Sequence, residues 1–265
     1  MDTIKYTSAL AGIIVDLSDG SARSIAENDP AAIGNDVLSG IENITAGDFD
    51  DILKGSAANN ILIGGAGDDN IAGGAGSDVI FGGEGNDVLI GDSGNDDLTI
   101  KEGADLVRAG SGADTISLSS SDTFDSSLVA LNVKTEGRIA LDGKTNYSSM
   151  VDGEADADTI ILMDADNGDA FFLHDAYSDL HQDVSTVADH EGMQTAARVI
   201  SVETIRAGAG DDIIDLTSDT FDMAGTNITL KGEAGNDVLW AAEGNDTLEG
   251  GLGNDTLFGG EGNDT

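Results

Sequence analysis

Aspartates recur in this chain at intervals of nine residues, set among glycines and followed two positions later by a single aliphatic. From Gly64 the sequence reads GGAGDDNIA, GGAGSDVIF, GGEGNDVLI and GDSGNDDLT without insertion, fitting a template G-G-x-G-x-D-x-U-x in which U is a large aliphatic. The register extends backward through AGDFDDILK from Ala46 and GSAANNILI from Gly55, and forward through IKEGADLVR from Ile100 and AGSGADTIS from Ala109. The sixth position is then Asp51, Asn60, Asp69, Asp78, Asp87, Asp96, Asp105 and Asp114, and the eighth is always Leu, Ile or Val. A second array holds Asp212, Asp237, Asp246, Asp255 and Asp264 in the same slot. Glycines at positive φ let carbonyl oxygens crowd toward one point. A turn of such carbonyls with one carboxylate offers the hard oxygens that Ca²⁺ takes, six to eight at about 2.3–2.6 Å.

The repeated nonapeptide resembles that of the RTX family. The resemblance implies an all-β fold, a right-handed parallel β-roll in which two nonads make one coil, each giving a six-residue turn and a three-residue strand. Multiple Ca²⁺ ions would lie between turns, shared by residues eighteen apart. The expected pairs are Asp51 with Asp69, Asn60 with Asp78, Asp69 with Asp87, Asp78 with Asp96, Asp87 with Asp105, and Asp96 with Asp114. Asn60 carries no charge, and Phe49 and Ala58 replace the fourth-position glycine, so those outer sites should be weaker or empty. An isolated Asx turn would explain one such unit. Eight in register call for metal.

The elements that must position these turns follow from the same period. Each strand points its eighth residue inward by the alternation of strands. Residues 1–45 form a strand-rich cap and lead-in, 46–117 the first roll, 118–206 an inserted β-rich segment without overall nonad register, and 207–265 a second roll. IENITAGDFDDIL at Ile41 to Leu53 parallels VETIRAGAGDDII at Val202 to Ile214, which suggests two related cap-and-roll modules. Asp212 and Asp237 lie 25 apart, not a multiple of nine, so Leu216 to Lys231 must bulge or loop out. The last residues, Gly259 to Thr265, break off inside a repeat, and the natural protein is expected to be longer at both ends.

Composition sets the limits. Asp and Glu number 51 against 11 Lys and Arg, a formal charge of −40 that opposes compaction of the bare chain. It also argues against nucleic acid and anionic membranes as direct partners. Without cysteine, neither disulfides nor thiolate metal sites can staple the chain. No apolar stretch of about 18 residues suggests membrane insertion.

The inserted segment carries different chemistry, including all three histidines, His174, His181 and His190. None has zinc-protease spacing, and surface or hydrogen-bonded roles are the plainer account. No nucleophile elbow, phosphate loop or cysteine nucleophile appears, so the chain is read as a non-enzyme. The run from Asp164 through Asp166 to Asp169 is one residue short of an EF-hand opening, and a solvated acidic turn competes with a calcium loop there. Phe171, Phe172 and Tyr177 fit a core or a ligand groove, and Trp240, at an outward ninth position, could cap or pack on the insertion.

From Asp158 to Ser218 the sequence resembles the calcium-dependent peptide-binding region of giant RTX adhesins. That implies a secreted, type I-exported module on a Gram-negative cell surface, monomeric as a fragment, that grips a protein or peptide on another cell. Asp164, Asp166 and Asp169 would hold an ion, with His174, Asp175 and Tyr177 lining the groove. A purely structural calcium-stiffened spacer, and an accessory roll of a secreted enzyme, remain the alternatives.

Overall fold

Strand residues seven to nine of each nonad alternate outward, inward, outward, and stacking the inward residues builds the core. The computed structural model describes residues 1–25, 33–119, 131–133, 137–139, 145–146, 149–163, 168–173, 199–217 and 226–265. Every described regular element is a β-strand, and in the rolls the strands run parallel, giving a parallel β-roll. Two compact units result, residues 1–117 with 149–158, and residues 118–148 with 159–265. Residues 149–158, counted above within the inserted segment, thus belong to the first unit.

In the first unit one sheet stacks Thr3–Lys5, Asn43–Thr45, Ile61–Ala66, Val79–Glu84, Asp97–Ile100 and Thr115–Leu118. The other stacks Ile13–Asp16, Ile52–Lys54, Asn70–Ala75, Val88–Ser93, Leu106–Ser111 and Met150–Ala155. Neighbours are in register at a step of eighteen, as in Leu62 opposite Ile80 and Ile71 opposite Leu89. Two aliphatic columns follow, Ile44, Leu62, Ile80, Leu98 and Ile116 on one side, and Val15, Leu53, Ile71, Leu89, Val107 and Val151 on the other, all buried. Each full burial contributes roughly 1.5–3 kcal/mol. Each coil thus contributes one inward aliphatic from each sheet.

Strand pairing reaches further than a three-residue strand. Ile61–Ala66 and Asn70–Ala75 each span six residues, because motif positions one to three also pair with the next coil. The turn proper is correspondingly tighter.

At the amino end the parallel stacking stops. Ile13–Asp16 pairs antiparallel with Ser21–Ser24, which pairs antiparallel with Asn35–Val37. The reversal is set by Asp16, whose Oδ1 accepts from the Ser18 N–H at 2.8 Å while its carbonyl accepts from the Gly20 N–H at 2.9 Å. Gly20, at φ 72°, takes the left-handed conformation that closes the turn.

The second unit repeats the scheme with Thr159–Leu162, Thr204–Ala209, Thr229–Ala234 and Thr247–Leu252 in one sheet. Its other sheet holds Thr145–Asn146, Asp169–Phe172, Ile213–Asp215, Val238–Trp240 and Thr256–Phe258. The expected bulge is narrower than Leu216 to Lys231. Thr229, Leu230 and Lys231 lie in a strand in register with Thr204, Ile205 and Arg206, so a step of 25 is accepted as one coil.

Candidate metal centre

The sixth-position side chains form a ladder. Asp69 Oδ1 accepts from the Asp51 N–H at 2.8 Å, Asp78 Oδ1 from Asn60 at 2.7 Å, Asp87 Oδ1 from Asp69 at 2.9 Å and Asp96 Oδ1 from Asp78 at 2.8 Å. Asp105 and Asp114 continue it, each at 2.8 Å from Asp87 and Asp96. One carboxylate oxygen thereby fixes each aspartate against the coil before it. The second oxygens of Asp69, Asp78, Asp87, Asp96, Asp114, Asp237 and Asp246 are buried with no hydrogen-bond partner. Leaving a buried anionic oxygen bare costs several kcal/mol, so these positions call for a cation.

The space around them fits one. A Cβ built on Gly64 would collide with Asp69 Oδ2 and come within 2.7 Å of the Gly82 carbonyl oxygen; Gly73 would meet Asp78 Oδ2 and the Gly91 oxygen in the same way. The first-position glycine therefore keeps open a hollow bounded by a carboxylate oxygen and a carbonyl oxygen from the next coil. Among the described residues no three His, Cys, Asp or Glu side chains gather as a metal cluster. The shell must be mostly backbone carbonyl, which suits Ca²⁺ and not a thiolate- or imidazole-seeking ion.

Electrostatics agree. Burial pushes the Asp69 carboxyl up to about 8, the neighbouring Asp87 and Asp51 charges adding to the rise against the Asp51 hydrogen bond. Burial also raises Asp96 and Asp105 to about 7 and Asp87 and Asp237 to about 6. These groups resist ionising unless a cation faces them.

Residues 37–71, 45–80, 63–98, 101–122, 202–219 and 229–265 match the RTX calcium-binding nonapeptide repeat (4 copies), together more than half of the chain. The chain belongs to the RTX calcium-binding nonapeptide repeat family. No curated protein matches it. This RTX chain accordingly binds Ca²⁺ at multiple sites, and the roll is the structure that those ions hold.

The predicted aspartates are not equivalent within the RTX roll. Asp51 is buried, with Oδ1 accepting from Ile13 N–H at 2.8 Å and Oδ2 from Gly47 N–H at 3.2 Å. Asn60 Oδ1 accepts from Ser56 N–H at 2.7 Å while its Nδ2 donates to the Glu42 carbonyl at 2.6 Å, closing that turn by itself. Asp105 Oδ2 accepts from the Ser149 hydroxyl at 3.1 Å. In the second unit the Asp169 N–H donates to Asp212 Oδ1 at 2.7 Å, Asp212 to Asp237 at 2.9 Å, Asp237 to Asp255 at 3.1 Å and Asp246 to Asp264 at 3.0 Å. Asp169 is thus a ladder member, with buried Phe171 in the inward slot. Asp164, Asp166, His174, Asp175 and Tyr177 lie outside the described residues, as do His181 and His190. Trp240, at its outward position, is largely buried and stacks on Phe258 with ring centroids 4.6 Å apart.

A second ladder escapes a search confined to the sixth position. Fifth-position Asp68 accepts from the Asn86 N–H at 2.8 Å and Asn86 from the Ala104 N–H at 2.9 Å. Asp211, Asn236 and Asn254 do likewise, as do Asn227, Asn245 and Asn263. Here each side chain accepts from the coil after it, opposite in sense to the sixth position. The recurring Asn or Asp before the ligand aspartate was the available signal.

Proposed function

We propose that this chain is a calcium-folded adhesin module of a secreted bacterial protein on the cell surface, binding a protein or peptide on another cell. Asp69, Asp78, Asp87, Asp96, Asp105, Asp114, Asp212, Asp237, Asp246 and Asp255, with Asp51 as a weaker member, would be the carboxylate ligands of the rolls. The observation that supports a ligand site is the step from Asp169 to Asp212. It spends 43 residues where a plain coil spends 18, yet returns to the same hydrogen bond. A long segment held at both ends by a rigid frame is where binding residues concentrate. That segment holds the three histidines, Asp175 and Tyr177.

So acidic a surface repels a peptide's terminal carboxylate unless a cation intervenes, and a calcium with an open position takes carboxylate oxygen readily. Asp169 already serves the roll, so an ion of the inserted segment would rest on Asp164 and Asp166 beside it. His174, Asp175 and Tyr177 would line the groove. The test compares free-carboxylate with amidated peptides on the intact chain and on Asp166→Ala refolded in calcium. Weaker binding on amidation and on substitution is expected; affinity unchanged by both rejects the mechanism. A calcium response without binding to any peptide of a varied panel would favour the spacer reading.

A further inference from the structure

The family match stops at residue 122 and resumes at 202, but the first unit's roll does not stop with it. Met150–Ala155 pairs with Leu106–Ser111 in the register that successive coils use, Leu106 opposite Met150, Val107 opposite Val151 and Gly110 opposite Glu154. Val151 fills the inward slot and is buried. Asp158 then stands where the next sixth-position aspartate belongs: the Asp114 N–H donates to its Oδ1 at 2.9 Å across 44 residues, and Asp158 is 1% exposed. The backbone keeps the form of the motif with only its first-position glycine, Gly153. Glu154 and Asp156 take positive φ of 67° and 80°, at the second and fourth positions, where the template has glycine.

We infer that Gly153–Asp158 forms a calcium turn and that the first unit's roll carries one further Ca²⁺ between the Asp114 and Asp158 turns. Asp114 is 2% exposed and its Oδ2 has no partner. A side chain at positive φ is strained and is retained where something else holds the backbone, as a shared ion would. The opposite row supplies an internal contrast. There the slot beside Asp105 holds Ser149, whose hydroxyl donates to Asp105 Oδ2 at 3.1 Å and accepts from the Asp105 N–H at 3.2 Å, so a neutral side chain closes that row without charge.

The test counts bound calcium by native mass spectrometry on the full chain, with Asp158→Asn, Ser149→Ala and Asp78→Asn variants. Asn keeps an oxygen for the Asp114 N–H and removes the charge. Asp158→Asn should lose one ion, Asp78→Asn one ion and Ser149→Ala none. Loss at Asp78→Asn with a full count in Asp158→Asn overturns the inference while leaving the nonad sites standing. Hydrogen exchange of the unaltered chain guards against a variant that does not fold. Met150–Ala155 should become protected at the same calcium concentration as Leu106–Ser111, and a strand that stays unprotected at saturating calcium overturns the inference equally.

Discussion

Stripping calcium from this chain should open the roll at neutral pH and let it re-form in acid. Asp105 at about 7 instead of the usual 3.8 resists ionisation by about 4 kcal/mol, at 1.36 kcal/mol per pH unit. Asp69, Asp87 and Asp96, at about 8, 6 and 7, act in the same sense. Halved for solvent reaching these turns, the four together still cost on the order of 9 kcal/mol, against about 5–15 kcal/mol of net stability for a whole domain. Raised carboxyl values mean that the calcium-free roll holds protons which the open chain has released. The penalty is absent below about pH 3.8, where both states are protonated, grows as pH rises, and is complete above about 8. With calcium the order reverses, because the ion needs the ionised form. Far-UV circular dichroism of resin-stripped protein between pH 4.5 and 8, followed by calcium titration at each pH, reads this directly. The expected result is β-structure that fades toward pH 8 and returns with millimolar Ca²⁺, at a midpoint that moves to higher calcium as pH falls from 8 to 6. An unchanged β-rich spectrum in stripped protein at pH 8 would refute the reasoning.

Gly73→Ala should remove about one calcium and loosen the coil around it, since the added methyl meets both Asp78 Oδ2 and the Gly91 backbone oxygen; isothermal titration gives the count. Asp78→Ala should lower calcium stoichiometry while Asn60→Ala leaves it unchanged, because the Asn60 turn is already closed by its own amide. Ile80→Ala should cost about 2–5 kcal/mol in urea unfolding at saturating calcium, Ile80 being buried in its column.

Much of this was legible in the nine-residue period. Asp69, Asp78, Asp87 and Asp96 take the slot their spacing assigns, Leu62 and Ile80 face inward, and pairs eighteen apart lie on adjacent coils. The coil made by residues 149–158 was hidden because Glu154 and Asp156 stand where the template demands glycine, and because its step is 44 residues. Asp169 resembled part of an EF-hand opening, its acidic neighbours Asp164 and Asp166 drawing attention from the aromatic two positions on. Phe171 in that inward slot is larger than any nonad aliphatic, so a search for Leu, Ile or Val passes over it. Periodicity reads what repeats. Only the backbone register shows which irregular stretches share the frame.

A frame that accepts 18 and 44 residues as one step in the first unit, and 18, 25 and 43 in the second, uncouples cargo length from scaffold geometry. Sequence can lengthen at a coil corner without moving any other coil, because position along the stack is set by hydrogen bonds to the neighbours and not by chain length. Such a stack can acquire new loops by insertion, one corner at a time, and an engineer could use the same corners as grafting points whose separation is set by the rise of the coils.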